Sequence, residues 1–444
     1  MSTQVATEPL VEVTAPRWNL ATRIAFRFCV VYFGLFCVST QIIACLLVNP
    51  KWGLPDPGAL PPLRQIIAFA AAHVFHLKSS DPGFFIETGS GDRPCDWVLL
   101  ACLLVFAAAG TALWSLLDRA RRNYIALRRW FWLFFRFALA GQMITYAFAK
   151  IVPLQMPFPR LFQLVEPIGN QSPMGVLWNS IGASPAYEIF AGSAELLGGI
   201  LILIPRTRTL GALICLADMI QVFTLNMTYD VPVKILSFHL IVLSLVLLAP
   251  DFRRLLQFFL LNRSADAPTT TTLFHSQRAN RIAAAVQICL ALWLLGNNMW
   301  GARVGWKTYG GGVPKSALYG IWDVEQQTID GQPHSPLLTD NDRWRRVVVD
   351  QFQSPLLIFL HMNDQRVIYS AVIDSHANTL TLTPRGSVAA KTILAYTHPA
   401  FDQLTLDGTM DGHKVHMDLR LCDRSKFLLV SRGFHWVSPG PFNR

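Results

Sequence analysis

Seven apolar runs constrain this chain more than any other feature, because each is long enough to cross a hydrocarbon layer as a helix. They read as Ala21–Val48, Asp96–Leu117, Trp130–Ile151, Ala186–Ile204, Leu210–Asn226, Val231–Leu248 and Ile282–Asn298. A bilayer core takes about 17–25 predominantly apolar residues per helix, and inside it the backbone satisfies its own hydrogen bonds. The expected fold is therefore an α-helical integral membrane bundle of about seven spans. Composition agrees: of 444 residues, 52% are hydrophobic and 15% charged, where a soluble domain carries about 25% charge. Arg23 and Arg27, in the first run, are expected to snorkel to its near side. Residues 1–20 are polar, with Glu8, Glu12 and Arg17, and lack the pattern of a signal peptide. The first run is expected to stay as an anchor.

Orientation follows from the basic loops. Asp118-Arg119-Ala120-Arg121-Arg122 with Arg128-Arg129, Arg206 with Arg208, and the stretch from Asp251-Phe252-Arg253-Arg254 to Arg281 all fall on one side if the N-terminus is cytoplasmic. The net charge of +10 is assigned to these loops, and no nucleic-acid partner is expected. The expected location is the cell (inner) membrane, with the C-terminal domain periplasmic or extracellular. Leu63–Leu77 reads as an interfacial helix, and the proline-rich stretch Pro153–Pro185 as short helices lying on the membrane. The prolines Pro50, Pro55, Pro57, Pro61 and Pro62 mark a first outer loop, and Pro268–Thr272 reads as a linker. The chain divides into a tail (1–20), two spans with their loop (21–130), a four-helix core (131–263), a linker with the last span (264–300), and a final domain (301–444).

From about Leu318 the texture changes. Apolar residues alternate in short runs at Val347–Val349, Leu356–Leu360, Val367–Val372, Thr379–Thr383, Leu404–Leu406, His413–Leu419 and Phe427–Val430. Turn signals such as Asn363-Asp364, Asp407-Gly408 and Asp411-Gly412 separate them. Such spacing predicts an antiparallel sandwich or barrel. Gly320-Ile321-Trp322 resembles the G-x-W opening of lipocalin-like barrels.

Polar residues inside or beside the apolar runs are the candidate site. Hydrocarbon penalises a charge at its centre by about 2.5–3.5 kcal/mol on insertion scales, so such groups are paired, hydrated or functional. Lys150 with Tyr146 closes the third run, Glu195 lies in the fourth, and Asn226 ends the fifth. Tyr229, Asp230 and Lys234 flank the start of the sixth, with His239 deeper, and the outer loop adds His76 and Asp92. Two readings stay open: an ion-pair network that locks helices together, and a polar pocket facing outward between the third, fourth, fifth and sixth runs. Asp218 and Gln221 could extend the pocket. His73 and His76 lack an evident third ligand, His413 and His416 point to opposite faces of a strand, and Gly89–Asp92 reads as a turn, so no metal is expected. The eight cysteines form no C-x-x-C pair, and thiol-redox or zinc–cysteine chemistry is not expected.

Several blocks together resemble the DoxX-like membrane family in its longer form. They are Tyr146-Ala147-Phe148-Ala149-Lys150, Gln155-Met156-Pro157-Phe158-Pro159, Ser172-Pro173-Met174-Gly175, Ala194-Glu195-Leu196-Leu197-Gly198-Gly199, Asn226 through Lys234, and Leu248-Ala249-Pro250-Asp251. The resemblance covers about Phe131–Arg263 and implies a four-helix membrane core. Some relatives are associated with quinone-linked oxidation, and the wider group looks related to the membrane part of vitamin K-dependent carboxylases. What the resemblance implies is a redox-linked enzyme or subunit acting on a quinone-like or other lipophilic molecule. Lys150 and Glu195 would be catalytic, and Tyr146, Asn226, Tyr229, Asp230, Lys234, His239, His76 and Asp92 would bind substrate. A quinone is the implied cofactor or substrate, and membrane lipid, a lipophilic small molecule and a protein partner on the β domain are the implied partners. The alternative is a non-catalytic lipid-binding, transport or assembly protein.

Overall fold

Apolar runs of this length become helices wherever their first amides find acceptors, and the chain supplies them locally. The computed structural model describes residues 17–47, 60–78, 82–265, 272–385 and 391–443. The tail with Glu8 and Glu12, the prolines Pro50, Pro55 and Pro57, and residues 268–271 of the Thr-rich linker lie outside the described residues. Asn19 caps α1 (Leu20–Ser39) by accepting from the Thr22 amide at 2.7 Å. A short α2 (Gln41–Leu47) and α3 (Leu63–His73) follow. Pro94 opens α4 (Pro94–Leu117), where Asp96 reaches back to the Arg93 amide at 2.9 Å. Next come α5 (Ile125–Ile151), α6 (Leu161–Val165) and α7 (Pro173–Gly182), the last capped by Ser172. Then follow α8 (Pro185–Leu203), α9 (Arg208–Thr228), α10 (Lys234–Leu248), α11 (Phe252–Phe259) and α12 (Gln277–Thr308). Among the described residues seven helices are long and apolar enough to cross a membrane, α10 and α11 counting as one run, Lys234–Phe259.

Two helical expectations change. The first run breaks at Thr40, whose backbone is extended (φ −120°, ψ 176°) and whose hydroxyl donates to the Phe36 carbonyl at 2.7 Å. The last run, expected over Ile282–Asn298, is a helix of 32 residues. Its ends, back to Gln277 and on to Thr308, hold Arg278, Arg281, Arg303 and Lys307, which interrupt the apolar run without stopping the helix.

The chain divides into two compact units, Met1–Thr145 with Ala194–Asn297, and Tyr146–Ser193 with Asn298–Arg444. In the first unit one apolar core joins Phe33 and Phe36 of α1, Leu99 and Leu103 of α4, Phe135 of α5, Cys215 of α9 and Leu243 of α10. Ile67 and Ala71 of α3 enter this core, so that helix buries one stripe and exposes Ile66 and Phe69. Arg27 does not snorkel. It is 1% exposed and donates to the Tyr124 hydroxyl, the Ser115 hydroxyl and the Asp118 carbonyl, at 2.6–2.8 Å.

The second unit holds a closed antiparallel barrel of eight strands. They are β1 (Gly320–Ile329), β3 (Trp344–Gln351), β4 (Pro355–His361), β5 (Arg366–Asp374), β6 (Thr379–Pro384), β7 (Thr392–Ala400), β8 (Gln403–Met410) and β9 (His413–Leu421), with a two-residue β2 (Gln332–Pro333) hooked onto β1. Each strand pairs with the next, and β1 closes on β9, with Trp322 opposite both Val347 and Leu421. The two-residue turns Asp330-Gly331 and Asp411-Gly412 take positive φ at both positions, the geometry that suits the twist of a tight hairpin. Inward side chains fill the barrel: Trp322, Val347, Leu357, Phe359, Leu382 and Leu406 are all at most 1% exposed. Val348 and Ile358 point outward, yet they too are buried, against Leu161, Phe162 and Val165 of α6. The stretch expected to lie on the membrane therefore places α6 on the barrel wall. Residues Leu428–Ser431, expected as a strand, form a short α13 after Phe427, which also packs on that wall.

An exposed ion pair ties the two tight turns. His413 Nδ1 lies 2.7 Å from Asp330 Oδ2, and the Lys414 amide donates to Asp330 Oδ1 at 2.9 Å. The hydrogen bond to Asp330 raises the His413 pKa, and the same bond lowers that of Asp330. His413 therefore adds stability that is present below the ordinary imidazole value and lost as pH rises through the raised one. Asp330 adds stability present above the ordinary carboxylate value and lost as pH falls through the depressed one. The link holds best between these limits. An NMR titration of the His413 ring in the full chain should show a raised midpoint that returns to the ordinary value in Asp330→Asn.

Candidate functional site

The first unit gathers most of the polar residues singled out in the sequence. Pro232 cannot continue a helix backwards, so α10 starts abruptly at Lys234 with its first amides open. Asp92 fills them from a distant loop: its Oδ2 accepts from the Lys234 amide at 2.7 Å and its Oδ1 from the Ile235 amide at 2.9 Å. The Lys234 ammonium lies 3.8 Å from Asp92 and 3.0 Å from Asp230. Gly91 adds a backbone bond to the Pro232 carbonyl at 2.8 Å. Asn226, buried at the end of α9, donates to the Ser237 hydroxyl at 3.0 Å. Asp92, Asn226, Asp230 and Lys234 thus meet around one helix start. Asp230 is exposed in the left-handed region (φ 53°), and Tyr229, half-buried, caps α9.

His239 lies five residues, about 7.5 Å, along α10 from Lys234. Its Nδ1 is 2.6 Å from the Ile235 carbonyl and its Nε2 is 2.7 Å from the Tyr32 hydroxyl. A carbonyl only accepts, so in the neutral ring Nδ1 carries the proton and Tyr32 donates to Nε2. The ring stacks on Phe36 with centroids 3.9 Å apart.

Glu195, 3% exposed, belongs to α8. Three residues on, a Cβ at Gly198 would meet the Cys215 sulfur at 2.8 Å, so glycine there brings α8 close to α9. The Cys215 thiol lies within electrostatic reach of both Glu195 and Asp218. Two carboxylates, one from each helix, gather about it.

In the second unit Lys150, 7% exposed, stands one residue from the end of α5. Its electrostatic neighbour there is the Glu188 carboxylate of α8, fully buried, whose Oε1 accepts from the Met156 amide at 2.9 Å. Gly192, one turn beyond Glu188, permits this: a Cβ there would meet Lys150 Cβ and the Ala147 carbonyl, each at 2.8 Å. Tyr146, half-buried, is one turn before Lys150 on the same helix.

Comparison with known proteins adds one relationship. Over 125 residues, 28% of this chain and 79% of the relative, the chain is 34% identical to an uncharacterized protein, YwoB, of Bacillus subtilis (strain 168). The chain belongs to the YwoB family. No protein-family model and no solved structure matches it.

In this YwoB-family chain each unit carries part of the expected site. Asp92, Asn226, Asp230 and Lys234 are brought together at the start of α10. Glu195 and Asp218 both lie within electrostatic reach of Cys215, and Lys150 within that of Glu188. His76 stands exposed at positive φ (54°) after α3, and the neighbouring His73 ring is held by the Phe69 carbonyl at 3.0 Å. Among the described residues no group of three or more His, Cys, Asp or Glu side chains is placed to hold a metal. Two residues that contact or neighbour the expected ones, Glu188 and Tyr32, are not among the expected site residues. Glu188 carried a signal, since it precedes Glu195 by seven residues, two turns of one helix face. Tyr32 carried none.

Proposed function

We propose that the chain is a multi-pass membrane protein, of DoxX-like type, that acts as a redox-linked enzyme or subunit on a quinone-like or other lipophilic molecule. The observation that supports this is the burial of proton-handling groups in span-length helices: Lys150 within electrostatic reach of Glu188, and Glu195 in α8. A lone buried charge is costly, but an amine with a carboxylate partner can take a proton from an acidic hydroxyl and keep the resulting ammonium balanced. In this reading Lys150 is the base and Glu188 stabilises its charged form. The N-terminus is cytoplasmic, the protein sits in the inner membrane, and the barrel stands outside as the surface for a protein partner.

A second reading, non-catalytic lipid binding, transport or assembly, draws on a different observation. Asp92 and His239 spend their hydrogen bonds on α10 and Tyr32, as framework residues do.

The test is purification from native membrane with mass spectrometry of bound quinones and lipids. Lys150→Ala should lower the copurifying lipophile about ten-fold, the effect of one lost charge-assisted contact. Glu188→Gln should do the same while the protein still folds. Ligand content unchanged in both variants would sink the reading.

A further inference from the structure

The second unit contains a cavity of about 350 Å³ that involves none of the groups discussed above. Its walls come from the proline-rich loop after α5, the end of α12 with the glycines beyond it, Tyr319 before β1, the end of β3, and the C-terminal segment. The volume is that of a small-molecule site.

One wall is apolar. Phe158, Leu164, Trp306 and Val313 line it. The glycine run shapes it: a Cβ at Gly312 would meet the Trp306 ring at 2.6 Å, so the backbone can wrap the indole only without side chains.

The other wall is cationic. The Lys315 ammonium lies 4.5 Å from the centre of the Tyr319 ring, and the Arg424 guanidinium 5.6 Å from the same ring. Among the described residues neither makes an ion pair. Arg160 completes the set, stacked 4.2 Å over Phe352. Asp350 is the counterpoint. It is 3% exposed, its Oδ1 accepts from the Gln351 amide at 2.8 Å, and its Oδ2 lacks a hydrogen-bond partner among the described residues. Burial raises its pKa, against the Gln351 amide, the charge of Arg160 and the amides of Phe162 and Leu161, which favour the charged form; Asp350 is thus the counter-charge of Arg160, and Lys315 and Arg424 are the two cations left for a ligand.

We propose that this cavity binds the acidic headgroup of a membrane lipid. Cations without counter-charges select an anion, since a neutral headgroup would leave Lys315 and Arg424 unbalanced. The apolar wall selects an amphiphile over a free anion, because phosphate alone gains nothing from Trp306 or Leu164. A whole two-chain lipid does not fit, so its chains leave along α12, which exposes Met299 and Trp300 just before the cavity. Trp306 and Tyr309 end that apolar helix where aromatic residues of spanning helices meet headgroups. This site stands apart from the Lys150 reading and can fail without it.

The test is native mass spectrometry of the full-length protein in mild detergent, titrated with phosphatidic acid, phosphatidylcholine or glycerol 3-phosphate. Phosphatidic acid should bind, and the double variant Lys315→Gln, Arg424→Gln should bind it about ten-fold more weakly. Lys426→Gln, which removes an equal charge from an exposed position outside the cavity, should bind it as the parent does. The proposal is overturned by equal binding of phosphatidylcholine, or by a double variant that behaves like Lys426→Gln. Glycerol 3-phosphate binding as tightly as the lipid would overturn the lipid as the source. Both cations are exposed, so loss of fold is not expected; unchanged thermal melting of the variants checks that.

Discussion

Trp322→Ala is expected to destabilise the barrel by about 3–5 kcal/mol, the cost of emptying a large buried aromatic site. Trp322 is 1% exposed and its indole donates to the Leu318 carbonyl at 2.9 Å. It also sits where closure is made, between β3 and β9. A domain holds only about 5–15 kcal/mol in total, so the variant should expose the barrel to protease at temperatures where the parent resists. Limited proteolysis of the full-length protein reads this, with cleavage between Gly320 and Leu421. Trp322→Phe keeps most of the volume and should cost clearly less. Equal resistance of the alanine variant and the parent would contradict the assigned core.

Arg27→Met should be nearly as damaging in the first unit, at about 3 kcal/mol, within the range for removing one member of a buried charged network. Methionine matches the length of arginine but returns nothing to Ser115 Oγ, the Asp118 carbonyl or Tyr124. The Tyr124 hydroxyl, which donates to Asp118 Oδ2 at 2.9 Å, loses its guanidinium partner. Thermal unfolding in detergent, followed by tryptophan fluorescence, should show the shift. A snorkelling arginine, by contrast, would tolerate the change.

Length and hydropathy made the seven helices legible, because a run of about 20 apolar residues has few other uses. Their ends were less so: Arg278 and Arg281 at one end, and Arg303 and Lys307 at the other, interrupt the apolar run while the last helix continues through them. The strands were legible through alternation, and Val347-Val348-Val349 carried more than was read from it. Three buried residues in succession mean both faces are covered, as α6 and the barrel interior cover them. β7 (Thr392–Ala400) was passed over because only Leu394 and Tyr396 point inward and Pro399 interrupts its end. The start of α10 was partly legible: Asp230 and Lys234 are four apart, whereas Asp92 reaches its amides across 142 residues of sequence, and no local pattern foretells that. The approach of α8 to Lys150 depends on Gly192, one turn beyond Glu188, and such a glycine announces close packing without naming what it brings together.

Closure of β1 onto β9 has a consequence for how the barrel can be recognised. An open sheet offers a row of free amides and carbonyls to which a partner can add a strand. Here the eight strands of the barrel have given both their edges to each other, and the two-residue β2 is too short to template more. A protein that docks on this domain must read side chains and turns, so its specificity would be written in surface chemistry that single substitutions can change. For the same reason the domain resists growing, by edge pairing, into a larger sheet with its own copies.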